Sequence, residues 1–172
     1  SRRIGLLVEQ LLEAAKLDAG QVTVNVEPFP IGELLQDVVQ KFALAARDCG
    51  VALEVDAMAA ATMVSGDIAL LERVLDNLID NALRHTPIGG RVTVQSQPRG
   101  ERVRIAVTDS GPGLTREEAE RAFERFYRGD PGRSTQSGQS GLGLAIVKSI
   151  LELHGSDVAV DSQPGHGASF YF

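Results

Sequence analysis

Hydrophobic residues recur along this chain with two periods, one typical of helices and one typical of strands. Apolar side chains three and four positions apart over residues 1 to about 18 predict an amphipathic helix. The same spacing predicts further helices over residues 31–48, 67–84 and 143–154. Alternation of apolar and polar residues predicts short strands, which fall over residues 22–26, 51–55, 62–64, 91–97, 102–108, 158–160 and 168–172.

Two of the helix starts carry recognisable capping residues. Asp67 stands at the N-cap position of the helix over residues 67–84. Thr115 is followed three positions later by Glu118, which is the spacing of a capping box and predicts a short additional helix.

Together these elements predict one α/β domain of two layers, a largely antiparallel sheet packed on helices, behind an N-terminal helical stalk. We expect the stalk over residues 1–20, a linker or first strand over 21–30, and the main domain over 31–172. The stalk has no neighbouring element on which to pack, so we expect it to pair with another helix or another chain. The alternative is that it lies on its own domain.

Composition narrows the class of protein. The 172 residues, 43% of them hydrophobic, suffice for one core and a small appendage. A net charge of −6 argues against direct binding to nucleic acid or to an anionic membrane. Cys49 is the only cysteine, so we expect no internal disulfide and a small core residue there. No uncharged apolar run reaches the ~18 residues of a membrane span, and a first residue other than Met indicates a piece of a longer protein.

The helix over residues 67–84 carries two asparagines one turn apart on its polar stripe. Asparagine forms helices poorly, so Asn77 and Asn81 invite an explanation beyond the solvation of an exposed face. An amide oxygen is a neutral, hard ligand that suits Mg²⁺, whose other ligands are waters and phosphate oxygens. The alternative is an ordinary solvated helix face.

Two glycine-rich turns follow this helix. Asp109 ends a strand and could accept a hydrogen bond from the exocyclic amine of adenine, whereas guanine presents a carbonyl there. Gly111 and Gly113 would let the backbone approach the ring, the alternative being an ordinary turn. Gly141 and Gly143 precede the last helix, whose N-terminal N–H groups and dipole predict a phosphate site.

The segment 123–128 mixes aromatic and basic residues just before a stretch rich in Gly, Ser and Gln. One interpretation is a packed helix end with solvated arginines. The other is an aromatic anchor for a mobile lid, with Arg125 or Arg128 meeting phosphate charge when the lid closes.

In this order, the motifs resemble the ATP-binding catalytic region of bacterial sensor histidine kinases. Residues 75–82, LDNLIDNA, match the N box of that family, and 109–113, DSGPG, match its first glycine box. Residues 123–128, FERFYR, match its F box, and 141–148, GLGLAIVK, match its second glycine box. The likeness covers roughly residues 29–172 and implies a Bergerat-type ATP-binding fold.

The resemblance implies a site for ATP and Mg²⁺ between the helical layer and a lid. Asn81 would ligate Mg²⁺, Asn77 would support the phosphates, and Asp109 would read adenine. The full set of nucleotide contacts that it implies is Asn77, Asn81, Arg84, His85, Asp109, Gly111, Gly113, Arg125, Tyr127, Arg128, Gly138, Gly141, Leu142, Gly143 and Ser169.

A comparison with the related gyrase-type ATPases indicates whether hydrolysis or phosphoryl transfer is expected. Those relatives place a glutamate four residues before the metal-binding asparagine, as the base that activates water. Here that position is Asn77, which cannot take up a proton at neutral pH. The resemblance therefore favours phosphoryl transfer to a histidine over hydrolysis.

The same resemblance implies partners outside this chain. Residues 1–20 look like the end of the second helix of the dimerisation and phosphoacceptor hairpin, so the full protein would be a homodimer. The acceptor motif of the family fits none of His85, His154 and His166, so the acceptor histidine is expected elsewhere, with a response-regulator aspartate next in sequence. The domain would be cytoplasmic, with a parent in the inner membrane. The alternatives are a degenerate kinase-like binding module and an anti-sigma-type serine kinase.

Overall fold

The computed structural model describes residues 2–58, 60–129 and 140–172. Its helices are α1 (Arg2–Asp18), α2 (Ile31–Asp48), α3 (Ile68–His85), α4 (Arg116–Arg121) and α5 (Gly143–Leu153). Its strands are β1 (Glu27–Pro30), β2 (Ala52–Ala57), β3 (Met63–Gly66), β4 (Arg91–Arg99), β5 (Arg102–Asp109), β6 (Ala159–Ser162) and β7 (Ala168–Tyr171).

Five of these strands form one mixed sheet in the order β2-β4-β5-β7-β6. Only the β2–β4 pair is parallel, and the other neighbours are antiparallel. Strands β1 and β3 form a separate antiparallel ribbon. The predicted two-layer α/β architecture with a largely antiparallel sheet and an N-terminal helix is therefore confirmed.

The hydrophobic core lies between the sheet and the helices α2, α3 and α5. Helix α3 packs on β4 and β5, and α5 packs on α3. The fully buried stripe of α3 consists of Val74, Leu75, Leu78 and Ile79. Complete burial of one such side chain stabilises the fold by roughly 1.5–3 kcal/mol, so this stripe fixes which way α3 faces.

Both predicted caps are present. Asp67 Oδ1 accepts a hydrogen bond from the Leu70 backbone N at 3.1 Å, which starts α3. Its Oδ2 accepts from the Asn25 backbone N at 2.9 Å, and its own backbone N donates to His154 Nε2 at 3.0 Å. The start of α3 is thereby tied to the end of α5 and to the segment that leads from the stalk. Thr115 and Glu118 form the predicted capping box at α4.

Two expectations from the sequence are wrong. Residues 21–26 form no regular element, and the first strand is β1, where Phe29 pairs with Val64. The alternating valines meet no strand, and without a partner their backbone groups cannot form a ladder. Cys49 is exposed rather than buried, because it caps the C-terminus of α2 beyond the last buried residue of that helix, Ala46.

Helix α1 has two different faces. Its buried residues, Ala14 and Leu17, pack against the domain, and α1 contacts α5. A second set of apolar residues is exposed to solvent, namely Ile4, Leu6, Val8, Leu11 and Leu12. One face therefore lies on its own domain, as the alternative interpretation held, and the other is open to a partner. Within the described ranges, none of the helices has the length and hydropathy needed to traverse a bilayer.

Ser96 allows a test of what a buried hydroxyl without a hydrogen bond costs this fold. It is fully buried in β4, and its Oγ has no hydrogen-bond partner among the described residues. Because Ser96→Ala removes an unsatisfied hydroxyl and leaves the shape nearly unchanged, we expect the free energy of unfolding to rise by about 1 kcal/mol in urea denaturation.

The matched control is Ser162→Ala. Ser162 Oγ accepts from the Leu114 backbone N at 2.8 Å and donates to the Gly167 carbonyl at 2.7 Å, so its loss should destabilise the fold. A free energy of unfolding lower for Ser96→Ala than for the parent chain would contradict the claim that the Ser96 hydroxyl lacks a hydrogen bond.

Candidate functional site

One cavity collects side chains from α3, from the turn after β5, from β7, from the start of α5 and from the stalk. Its lining residues are Gln10, Asn77, Asp80, Asn81, Arg84, His85, Asp109, Pro112, Gly113, Leu114, Glu118, Ala122, Tyr127, Arg128, Gly129, Ser140, Gly141, Gly143, Leu144, Ala168 and Phe170.

Helix α3 supplies the largest group of polar lining residues. Because its apolar stripe is fixed against the sheet and α5, Asn77, Asn81 and Arg84 project along the cavity wall. Asn77 is 9% exposed, and its Nδ2 is a buried donor with no hydrogen-bond acceptor in the part of the chain that the structure describes. A buried amide left unpaired is costly, so this position fits a ligand that brings an acceptor oxygen.

Asp109 sits at the end of β5 and is only 6% exposed. Its Oδ1 accepts a hydrogen bond from the Gly111 backbone N at 2.8 Å. Burial raises the pKa of Asp109 above its ordinary value of 3.8, although the Gly111 N–H and nearby His85 act in the opposite direction. Burial also lowers the pKa of His85. The site therefore holds an acceptor in a largely water-free setting, where hydrogen-bond matching has most effect.

The first glycine turn packs tightly on protein backbone. A Cβ at Gly111 would lie 2.5 Å from the His85 carbonyl oxygen, and one at Gly113 would lie 2.2 Å from that of Gln163. Gly113 also has a φ of +72°, a conformation that side chains disfavour. These glycines thus allow close approach of neighbouring chain segments, where we had expected approach to a ring. Only Gly113 of the two lines the cavity.

The second glycine turn brings the start of α5 to the amide of Asn77. Leu142 is the N-cap and has no side-chain capping bond, while Gly143 lines the cavity. A Cβ at Gly143 would lie 3.6 Å from Asn77 Oδ1, so the helix start and the amide face each other closely. An N-terminal helix turn beside a buried amide is a suitable setting for phosphate.

The segment before residue 129 is anchored by aromatic contacts. The ring of Phe123 packs edge-on against Phe170, with 6.0 Å between centroids. The Arg121 guanidinium lies 4.4 Å from the centre of the Tyr127 ring, and Tyr127 lines the cavity. Phe126 takes a φ of +62°, which is unusual for a bulky residue, and its backbone N donates to the Gly141 carbonyl at 2.8 Å. A backbone hydrogen bond therefore joins the aromatic segment 123–128 directly to the second glycine turn.

The structure brings most of the expected contact residues into this one cavity. They are Asn77, Asn81, Arg84, His85, Asp109, Gly113, Tyr127, Arg128, Gly141 and Gly143. Gly138 lies outside the described residues.

Four expected residues do not line the cavity, each for a visible reason. Gly111 packs against His85, and Leu142 is 1% exposed in the core. Arg125 pairs with Asp18 of the stalk. Ser169 points to the opposite face of the sheet, where its Oγ is 2.8 Å from Thr108 Oγ1, because the adjacent Ala168 and Phe170 face the cavity and strand residues alternate.

Sequence reasoning missed several lining residues. Glu118 and Asp80 stand in segments that were already recognised, the capping box and the N box, so their positions were available in the sequence. Ala168 and Phe170 depend on the register of β7 against β5, which no local signal reveals. Gln10 comes from the stalk, 67 positions before Asn77, and nothing in its neighbourhood indicated a site.

Comparison with known proteins identifies the class. The family model described as histidine kinase-, DNA gyrase B-, and HSP90-like ATPase matches residues 66–172, so the chain belongs to that family. The sensor-like histidine kinase SenX3 of Mycobacterium tuberculosis is 36% identical over 170 residues, which is 99% of this chain and 41% of SenX3. The alginate biosynthesis sensor protein KinB of Pseudomonas aeruginosa is 37% identical over 169 residues, 98% of this chain and 28% of KinB.

The solved structures agree. Full-length ShkA, in complex with AMPPNP, superposes with a TM-score of 0.85 at 30% identity, over 96% of this chain and 34% of ShkA. The ThkA kinase in complex with the response regulator TrrA shares the fold, with a TM-score of 0.79 at 24% identity over 99% of this chain and 46% of ThkA. The chain thus spans less than half the length of these relatives. It carries the ATP-binding catalytic domain of a sensor histidine kinase, as the motifs predicted.

Asp109 gives this site a measurable effect on stability. Because its pKa is higher in the folded chain than in the unfolded chain, stability falls as the pH rises from 3.8 to the folded value and then stays lower. We expect Asp109→Asn to raise the free energy of unfolding of the unliganded chain at pH 7, with an advantage that disappears below about pH 4. Denaturation at several pH values measures it.

Asp161→Asn is the control, because Asp161 is an exposed strand carboxylate outside the cavity. A destabilised Asp109→Asn at neutral pH would show that the hydrogen bond from Gly111 outweighs the burial of the charge.

Proposed function

We propose that this domain holds Mg-ATP and presents its γ-phosphoryl group to a histidine outside this sequence, as the first step of a phosphorelay. The observation that carries the proposal is the convergence of three chemically different groups on one cavity. These are the buried acceptor Asp109, the amides of Asn77 and Asn81, and the N-terminus of α5.

Adenine is assigned to the end of the cavity at Asp109. A carboxylate accepts from the exocyclic amine of adenine, and burial makes a mismatch expensive because an unpaired acceptor cannot turn to water. Ala168 and Phe170 of β7 supply the apolar wall beside it. Guanine would set its carbonyl oxygen against the carboxylate and be rejected.

The phosphates and Mg²⁺ are assigned to the other end. Asn77 Nδ2 is a buried donor without a protein acceptor among residues 2–58, 60–129 and 140–172, which fits a phosphate oxygen. Asn81 would offer its amide oxygen to Mg²⁺, which when bound neutralises the charge that develops on the transferred group. Arg128 and the first turn of α5 add positive potential around the same region, where Arg84 also lies, paired with Asp80.

Transfer is favoured over hydrolysis by the state of the carboxylates that line the cavity. Asp80 is paired with Arg84 at 2.9 Å, and Glu118 Oε2 accepts from the Thr115 backbone N at 2.8 Å in the capping box. The position from which a gyrase-type enzyme activates water is Asn77, which does not act as a base. Among the described residues, the two lining carboxylates Asp80 and Glu118 are thus already engaged, and the position of the gyrase-type base is an amide.

Partners follow from the stalk. The exposed apolar face of α1 suits packing against the rest of a helical hairpin, which would carry the acceptor histidine and form the homodimer. A response regulator would then receive the phosphoryl group, a proposal supported by the ThkA–TrrA complex. We infer a cytoplasmic position for this domain, in a parent anchored in the inner membrane through other segments. The net charge of −6 argues against direct binding to nucleic acid.

Nucleotide selectivity is the first test. In calorimetric titrations we expect Mg-ATP to bind and Mg-GTP to bind weakly or not at all, because a buried Asp109 accepts from one base and opposes the other. Asp109→Asn should weaken Mg-ATP binding by at least about tenfold, and Asp161→Asn should leave it unchanged. Equal affinity of Asp109→Asn and the parent chain would remove adenine recognition from Asp109.

Phosphoryl transfer is the second test. Mixed with a separately prepared helical hairpin from a similar sensor kinase, the chain should label it with acid-labile phosphohistidine in the presence of Mg²⁺. Asn81→Ala should lower the rate by about a hundredfold, because Mg²⁺ would lose its protein ligand, whereas Asn25→Ala in the linker should not. ATP binding without any label would favour a binding module, and acid-stable phosphoserine would favour an anti-sigma-type kinase.

A further inference from the structure

The stalk helix contributes directly to the wall of the cavity. Gln10 lines it, and Gln10 Oε1 accepts a hydrogen bond from Ser140 Oγ across 130 positions of sequence. The same Ser140 hydroxyl oxygen accepts from the Leu142 backbone N at 3.2 Å. Because a hydroxyl can donate one hydrogen bond while accepting others, these three groups form a continuous chain.

That chain ends at the first turn of α5. Leu142 is the N-cap of α5 and offers no side-chain oxygen, so Ser140 satisfies an N–H group that would otherwise be unpaired at the helix start. Gln10 in turn fixes the orientation of the Ser140 hydroxyl. The next residue, Gly143, faces Asn77 in the cavity, so a shift of this turn changes the part of the site assigned to phosphate.

A second polar contact holds the stalk in this position. Glu13, one turn after Gln10, binds Arg73 of α3 through both oxygens, with Arg73 Nε at 2.9 and 3.1 Å and Nη2 at 2.7 Å. The side chains are 28% and 35% exposed, and bidentate pairs of this kind are stronger than single surface contacts. Arg73 precedes Asn77 by one turn of α3. Ala14 and Leu17 are buried on the same side of α1. We name this side the docking face of α1, and it consists of Gln10, Glu13, Ala14 and Leu17.

We propose that Gln10 is a positioning residue of the nucleotide site, so that ATP affinity depends on the docking face of α1. The inference rests on the proposed function of the cavity. The exposed residues of the same helix include Ile4, Val8 and Leu11, so a helix that packs on them contacts α1 on another side than the docking face. Packing of another helix on α1 and binding of nucleotide in the cavity are thereby linked through α1.

The test is a double-mutant cycle on the whole chain, read by calorimetry with Mg-ATP. We expect Gln10→Ala to weaken binding about fivefold and Ser140→Ala at least as much, because Gln10→Ala breaks one hydrogen bond of the chain and Ser140→Ala breaks both. The double variant should bind like Ser140→Ala alone, since both residues act through the same hydroxyl. Glu9→Ala, one position away on an exposed part of α1, should bind like the parent.

Adenosine separates positioning from a general loss of structure. It lacks phosphates, so its affinity should be the same in Gln10→Ala and the parent, and the unliganded variant should still unfold in one cooperative transition. Equal Mg-ATP affinity of Gln10→Ala and the parent would overturn the inference, as would losses that multiply in the double variant. Failure of the parent itself to bind Mg-ATP would instead overturn the proposed function beneath it.

Discussion

The burial of one stripe of α3 is the constraint on which the rest of the site depends. Four side chains of this helix are removed completely from solvent, namely Val74, Leu75, Leu78 and Ile79. Each contributes roughly 1.5–3 kcal/mol, so any rotation of α3 about its axis is strongly opposed. Residues four apart lie on one side of a helix, and a fixed stripe therefore fixes Asn77 and Asn81 as well. The core thus sets the positions of the two amide side chains, although neither amide belongs to it.

The cavity buries polar groups of the unliganded chain at a cost in free energy. Burial raises the pKa of Asp109 and lowers that of His85, so burial disfavours the charged form of each. Asn77 Nδ2 has no acceptor among the described residues. A ligand that brings the missing partners binds the folded chain and not the unfolded one, and so stabilises it. A phosphate oxygen beside Asn77 would supply the acceptor that this buried donor lacks among the described residues.

Elements and contacts that arise from neighbouring residues could be predicted from the sequence. The extents of α2 and α3, the Asp67 cap and the capping box at α4 all depend on positions within one or two turns. Contacts set by distant parts of the chain could not. The face taken by Ser169 depends on the pairing of Ala168 with Asp109, and the exposure of Cys49 depends on where α2 leaves the core. Motif matching located the cavity, but not the stalk residue in its wall.

Among the described residues, the stalk forms two ion pairs with the domain, and they differ in exposure. The partner of Arg125 is Asp18, and both side chains are nearly half exposed, at 44% and 46%. Exposed pairs contribute about 0–1 kcal/mol and are screened by salt, so exchanging Asp18 for another anion costs little. The Glu13–Arg73 pair is bidentate and less exposed, and it resists such exchange. We therefore predict that Arg125 can exchange Asp18 for phosphate, while the Glu13–Arg73 pair keeps α1 in contact with α3.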